Sequence, residues 1–494
     1  MSALDAQAFP PGVQEPHAAQ AAAVPLIVDL DRTLCRSDTM HEALVGLLAS
    51  SPAAMLGLPA WLASGKTGFK QELAGRRTVD PALLPYDDEV LALIAAARAE
   101  RRPVALISAS DQRQVAAVAA HLGLFDDAVG TGSPGVAGNL SGQAKADYLV
   151  GRFGAGGFDY IGDSAADLPV WAAARQAYGI RVAPGIRKRA RAQGTALQTV
   201  GDSASELPAL LRACRPHQWA KNVLVLLPVL TAHDLTHLPA ALLGMLCFSL
   251  AASAIYIIND LVDLPSDRQH PRKRFRPFAA GTASVKNGLF LAGGLLAVAA
   301  LAALLWLPGP FFWTLMVYLV ATSAYSFSLK RKMMVDVLAL AALYTLRIVA
   351  GSAATGIVLS PWLLVFSMFL FFALATIKRQ AELEDMLLRG SERTAGRNMM
   401  VGDLPILQAM SIGAAQAAVL VFALYSQDPE VQEHFDAPDL LLLICPVLFF
   451  WLGRMQLLTR RGHMTDDPIV FTFRDRVGLV CGAVMLGIFI LAAR

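Results

Sequence analysis

Apolar and polar positions change their spacing near residue 215. Before it, short apolar runs alternate with stretches of helical spacing, the pattern of a βα fold. VPLIVDLD (24–31) reads as a buried strand ending in carboxylates, RRPVALISAS (101–110) as a second strand and GGFDYIGDS (156–164) as a third. About sixty residues of helical pattern separate the first two, from Thr39 to about Arg101. That length predicts an insertion, a helical cap over about 40–100, and not a crossover helix. Residues 1–22 are rich in Ala, Pro and Gln and show no period, so a disordered tail is expected. They lack a basic start followed by an apolar core, so no signal peptide is expected.

After residue 215 the apolar runs reach the roughly 20 residues that a membrane span needs. Candidates lie at 218–232, 238–258, 287–306, 311–328, 333–355, 361–376, 404–426, 438–453 and 477–493, which predicts about nine transmembrane helices. The segments 260–286, 329–332, 377–400 and 454–476 carry six, three, five and five Lys plus Arg. The alternating segments 233–237, 307–310, 356–360 and 427–437 carry none. This asymmetry puts the basic loops and residues 1–215 on the cytoplasmic side of an inner (plasma) membrane. The expected organisation is a tail at 1–22, an α/β domain at 23–205, a linker at 206–217 and an all-α polytopic membrane domain at 218–494.

Composition agrees. In 494 residues 55% are hydrophobic and 16% charged, against about 25% charged for soluble domains. A formal charge of +3 is too small to imply nucleic-acid binding. The five cysteines are far apart and show no CxxC, which argues against disulfides and a zinc site.

Four elements of the first region stand in order: Asp29-Leu30-Asp31-Arg32-Thr33 at a strand end, Ser108 ending LIS, Lys145 in SGQAK, and Gly162-Asp163-Ser164-Ala165-Ala166-Asp167. They resemble the haloacid dehalogenase phosphatase superfamily over about residues 24–205, with a Rossmann-like fold and a helical cap. The resemblance implies Asp29 as the nucleophile, since a carboxylate can attack phosphorus to form an acyl phosphate. It implies Asp31 as the acid that protonates the leaving oxygen and then activates water. Thr33, Ser108 and Lys145 would bind phosphoryl oxygens. Asp163, with Asp29 and Asp167, would hold Mg2+, a hard cation that prefers oxygen ligands. The alternative is that these are ordinary turn residues at strand ends, or a relic that binds without hydrolysing; Asp31 argues against the relic.

The second region carries NDLVDLPSDRQHPRKRFRP from Asn259. Asp260, Asp263 and Asp267 are spaced i, i+3, i+7, which puts them on one face of a helix where a span meets the cytoplasm. Carboxylates so placed would repel one another unless they hold cations, and Mg2+ held there neutralises a diphosphate. Asn259, Lys273 and Arg276 are candidates for binding phosphate oxygens. Lys330, Asp336 and Arg347 follow, the last two in or at the edge of an apolar span. A charge at a helix centre costs roughly 2.5–3.5 kcal/mol, so Asp336 and Arg347, eleven apart, are expected either to point into one site or to form a buried ion pair. Lys378 and Lys221 are further phosphate-binding candidates, against the alternative of solvated loop charges.

The aspartate motif resembles the UbiA prenyltransferase superfamily over about residues 210–494. That family consists of helical membrane transferases with two aspartate-rich motifs flanking a cavity. The second motif usually has two acids; here DVLAL has only Asp336, which would be its metal ligand. RPHQWAKNVLVLLPVL, HPRKRFRPFAAG and IKRQAEL are more similar to the decaprenyl-phosphate phosphoribosyltransferase branch. The resemblance implies a polyprenyl phosphate acceptor, phosphoribosyl pyrophosphate as donor and Mg2+ as cofactor. The chain is then bifunctional, and its phosphatase domain, tethered on the same face of the membrane, is expected either to dephosphorylate the product or to serve another metabolite. The rivals are prenyl transfer from a polyprenyl diphosphate to an aromatic or other lipid acceptor, and a phosphatase merely anchored in the membrane lipid.

Overall fold

Strand-forming apolar runs place a parallel sheet at the centre of the first of two compact units, residues 1–205 and 206–494. The computed structural model describes residues 23–202, 205–388, 390, 399–433, 435–464 and 467–493; the tail expected at 1–22 lies outside them. The strands are β1 (Leu26–Val28), β2 (Val104–Asp111), β3 (Asp127–Thr131), β4 (Asp159–Gly162), β5 (Gln176–Ile180) and β6 (Leu197–Val200), in spatial order β3-β2-β1-β4-β5-β6. Every pairing is parallel, with Leu26 opposite both Val104 and Asp159. β1, β2 and β4 are the three expected strands. β3, β5 and β6 were not anticipated.

The helices of this unit are α1 (Thr39–Ser50), α2 (Leu58–Ala63), α3 (Gly65–Arg76), α4 (Asp88–Ala99), α5 (Gln112–Leu122), α6 (Gln143–Phe153), α7 (Leu168–Ala173) and α8 (Pro184–Ala192). The expected insertion is shorter than 40–100. α1–α3 form the cap, closing a small core of Ala43, Leu47, Trp61 and Leu73. α4 is a crossover helix: Val90, Ile94 and Ala97 share a face and pack with Leu106 of β2 and Val28 of β1. Asp87 caps it, accepting from Glu89 and Val90 N–H.

The second unit is helical: α9 (Leu207–Ala213), α10 (Leu227–Thr231), α11 (Leu238–Val262), α12 (Leu264–Gln269), α13 (Val285–Trp306), α14 (Gly309–Phe327), α15 (Val335–Thr355), α16 (Pro361–Leu388), α17 (Leu404–Ser426), α18 (Pro429–Gln432), α19 (Ile444–Arg460), α20 (Pro468–Thr472) and α21 (Arg476–Ala492). All nine expected segments are helical, but among the described residues seven are long and apolar enough to cross a membrane. The first segment is a 3-10 helix, Pro216–Leu226, running into the five-residue α10, and α21 has 17 residues. Nine is therefore an approximate count of spans. The 3-10 segment lies so close to α15 that a Cβ on Gly351 would come within 2.1 Å of the Val225 carbonyl oxygen. α11 and α15 are the most enclosed spans, with 61% of each apolar window buried against 11–39% for the others. The segment 206–217, expected as a linker, contains α9 and belongs to this unit.

Candidate functional site

In the first unit β1 lies between β2 and β4, so its carboxyl end opens where strand order reverses, the place open parallel sheets bind ligands. Asp29 follows β1 directly and its N–H donates to the Ile161 carbonyl at 3.1 Å. Asp29 Oδ2 lies 2.9 Å from Lys145 Nζ, and Lys145 Nζ lies 3.9 Å from Asp167. Burial alone would discharge Lys145, but Asp29 and Asp167 outweigh it and hold its pKa above the ordinary lysine value. Asp163 and Asp167 come from the loop after β4. Gly162 makes that loop possible, since a Cβ there would meet Asp167 Cγ at 2.7 Å.

Asp29, Asp163 and Asp167 bring one oxygen each within 4.8 Å of one another, and no other such group of three occurs among the described residues. Burial, then the Asp167 and Asp29 charges, push the Asp163 carboxyl well above its usual range, with Arg32 and Lys145 opposing. Crowded hard oxygen ligands with excess negative charge fit Mg2+. Asp31 accepts from Thr39 N at 2.7 Å, Thr39 Oγ1 at 2.8 Å and the Ser110 hydroxyl. Loss of hydration, then the neighbouring Asp38 charge, raise its pKa to about 7, against the Ser110 and Thr39 hydrogen bonds. It can therefore hold or release a proton near neutrality.

Ser108 is buried within β2, its Oγ accepting from Ser110 N at 3.3 Å. Thr33, a phosphate-binding candidate from the sequence, donates its hydroxyl to Asp163 Oδ1 at 3.4 Å. Sequence reasoning missed Thr39, Ser110 and Lys70. Lys70 reaches from α3 to the Ala109 carbonyl at 2.6 Å and Asn139 Oδ1 at 2.7 Å.

In the second unit a cavity of about 510 Å³ is lined by the 3-10 segment with Arg215 before it, by α11, α14, α15 and α16, and by the loops after α12, α14 and α19. Asn259, Asp260, Asp263, Lys273, Arg276, Lys330, Arg347, Lys378 and Lys221, all singled out from the sequence, line it. The acids are not on one unbroken helix. α11 ends at Val262, Asp263 caps it, and Pro265 opens α12. Asp260 is buried and accepts from Arg215 at 2.5 Å and Arg276 at 3.1 Å. Asp263 is partly exposed, 3.9 Å from Lys330 Nζ. Asp267 is outside the cavity lining and takes Arg276 at 2.7 Å. Of the three motif carboxylates, Asp260 and Asp263 thus face the cavity, a pair of hard oxygen ligands that fits Mg2+.

Asp336 is also absent from the lining. It is buried 3.0 Å from Arg379 Nε, and Arg379 reaches Glu382 at 2.5 Å and Tyr325 OH at 3.0 Å. The expected juxtaposition of Asp336 with Arg347 is corrected: the cation beside Asp336 comes from α16. Arg347 donates to Asn222 Oδ1 at 2.8 Å and packs over the Tyr318 and Tyr344 rings.

Two charged residues of the cavity were not anticipated. Arg215, in the expected linker, adopts φ 51° and turns onto Asp260. Asp467 accepts from Lys221 at 2.8 Å, Lys378 at 3.0 Å and Tyr344 OH at 2.7 Å.

Residues 223–474 match the UbiA prenyltransferase family, and residues 26–171 match the haloacid dehalogenase-like hydrolases. An uncharacterized protein y4nM of Sinorhizobium fredii is 38% identical over 95% of this chain and 91% of its own length. A decaprenyl-phosphate phosphoribosyltransferase of Mycolicibacterium smegmatis is 39% identical over 38% of this chain, which covers 60% of that protein. A solved UbiA homologue from Archaeoglobus fulgidus bound to GPP and Mg2+ aligns with 57% of this chain and 99% of its own at 17% identity, TM-score 0.44. The chain is a multi-pass membrane protein of the UbiA prenyltransferase family, carrying a haloacid dehalogenase-like hydrolase domain ahead of its membrane helices.

Proposed function

We propose that the membrane unit transfers phosphoribose from phosphoribosyl pyrophosphate to the phosphate of a polyprenyl phosphate. The observation that carries this reading is the charge of the cavity: eight Lys and Arg side chains line it against five carboxylates. A prenyl donor brings a single diphosphate. The phosphoribosyl reaction brings a diphosphate, a sugar phosphate and a lipid phosphate, and so uses a more basic wall. The 39% identity to the mycobacterial transferase supports the same choice.

In this reading the bond from ribose C1 to the diphosphate oxygen breaks as a lipid phosphate oxygen bonds to C1. Asp260 and Asp263 would hold Mg2+, which when bound neutralises the departing diphosphate. Arg215, Arg276 and Lys330 stand beside these carboxylates, fixed positive charges where negative charge gathers in the transition state. Prenyl transfer to a lipid acceptor is the rival reading. An anchored phosphatase is a weaker one, because an anchor needs no charged cavity.

Donor choice tests the proposal. With Mg2+ and polyprenyl phosphate, purified protein is expected to release diphosphate from phosphoribosyl pyrophosphate. Release only from an allylic diphosphate in the presence of an aromatic acceptor would favour the rival.

The hydrolase domain is read as a phosphatase that removes the sugar phosphate from the lipid product. Asp29 would attack phosphorus, Lys145 hold a phosphoryl oxygen, and Asp31 protonate the leaving oxygen and then activate water. The covalent tether keeps this domain at high effective concentration near the product, provided both act on one face of the membrane. The asymmetry of the loop charges supports a cytoplasmic position for both. With native cysteines replaced, a cysteine at Gln427 is therefore expected to react with an impermeant maleimide from outside, and one at Arg461 only after permeabilisation. The reverse pattern would overturn the orientation.

A further inference from the structure

At one wall of the membrane cavity a single carboxylate oxygen, Oδ2 of Asp467, accepts from three donors. Lys221 Nζ lies at 2.8 Å, Lys378 Nζ at 3.0 Å and Tyr344 OH at 2.7 Å. All four residues line the cavity. The donors come from three separate elements: the 3-10 segment, α15 and α16. Two of these positions are held independently of Asp467. Asn222, next to Lys221, bonds Ser249 at 3.0 Å and Arg347 at 2.8 Å. Tyr344 packs on Phe371 with ring centres 5.3 Å apart.

One carboxylate does not balance this wall. Two ammonium groups share Asp467, and Arg347 lies over the same Tyr344 ring at 5.5 Å. Buried charge left uncompensated is costly, and here the excess is positive and faces open space. A phosphate monoester dianion matches the two lysine charges and can offer oxygens to all three donors. Asp467 can make way for it. Its side chain starts the short helix α20, and among the described residues its other oxygen takes only Ile469 N–H, at 3.3 Å.

We propose that Asp467 is a displaceable counter-ion, and that Lys221, Lys378 and Tyr344 beneath it form a receiving site for a phosphate monoester, distinct from the diphosphate site at Asp260 and Asp263. This rests on the transferase reading above and adds to it a second anion site with a residue that holds its place. The monoester is either the sugar phosphate of the donor or the phosphate of the lipid acceptor.

Direct binding to the full-length protein in detergent tests it, with ribose 5-phosphate, geranyl monophosphate and Mg2+-diphosphate as separate probes. Lys221→Gln and Lys378→Gln are each expected to weaken one of the two monoesters by about tenfold, the loss of one charge-assisted hydrogen bond. The affected probe tells donor from acceptor. Both variants should leave diphosphate binding within about twofold. Asp467→Asn keeps the N-cap of α20, since asparagine caps as well as aspartate, but removes the competing charge. It is expected to bind the same monoester at least about threefold more tightly, while matching the parent in gel filtration and thermal melting. If neither monoester responds to the lysine variants, or if Asp467→Asn weakens binding as they do, the proposal fails. This readout needs no turnover. The binding pattern without transfer of phosphoribose would overturn the transferase reading alone; transfer without the pattern would overturn the counter-ion alone.

Discussion

Asp263→Asn is expected to lower transferase turnover by about 10²- to 10³-fold, the usual cost of losing one group that stabilises transition-state charge. Asp260→Asn should do the same, but the two variants differ in what else they disturb. Asp260 is buried and compensates Arg215 and Arg276, so its loss also leaves those arginines short of a partner. Asp263 is partly exposed and is the cleaner test. Asp267→Asn serves as the control. That carboxylate lies outside the cavity lining and its partner is Arg276, so its effect should be far smaller. Turnover of folded, monodisperse protein under saturating Mg2+ decides the matter. Near-parental rates for Asp260→Asn and Asp263→Asn, or an equal loss in all three variants, would contradict the assignment.

The second large effect is expected in the hydrolase domain. Asp29→Asn removes the proposed nucleophile and should abolish phosphatase activity, by at least about 10³-fold. If the two sites act in sequence, this variant accumulates the phosphorylated lipid, while the parent yields the dephosphorylated lipid and free phosphate. A parent that also stops at the phosphorylated lipid would show that the sites are not sequential. Asp31→Asn should behave differently. An aryl phosphate has a leaving group that needs little protonation, so Asp29 can still be phosphorylated, but the acyl phosphate then lacks its base. One equivalent of phenol should be released in a burst, followed by turnover slowed by about 10²- to 10⁴-fold. Steady turnover without a burst would remove Asp31 from the second step.

Local chemistry made much of this legible before any coordinates. Asp29, Asp31, Asp163 and Asp167 announce themselves because each lies in the turn that follows a strand, and Ser108 because it sits in an apolar strand run. The basic loops and apolar runs likewise located the membrane helices. What was missed depends on contacts distant in sequence. Asp467 meets Lys221 and Lys378 across 246 and 89 residues, and nothing in its own neighbourhood signals a cavity. Asp336 was paired with Arg347 by helical spacing, whereas its partner Arg379 is on the next helix. The aspartate spacing was right for a helix, but Pro265 starts a new one and Asp267 turns to Arg276. α4 was assigned to the cap because its helical pattern continues from α3; only its packing against β2 separates it. β3 and β6 are four or five residues long with little alternation, too short to stand out from the loops around them.

The central claim is that the Asp260–Asp263 cavity moves phosphoribose onto a lipid phosphate. The most direct test supplies purified protein with Mg2+, polyprenyl phosphate and phosphoribosyl pyrophosphate carrying ¹⁴C in the ribose, then partitions the mixture into organic solvent. The account predicts label in the organic phase with the parent, dependent on the lipid phosphate, and almost none with Asp263→Asn. Label that stays in the aqueous phase with folded parent protein, or that reaches the lipid equally well with Asp263→Asn, would contradict it.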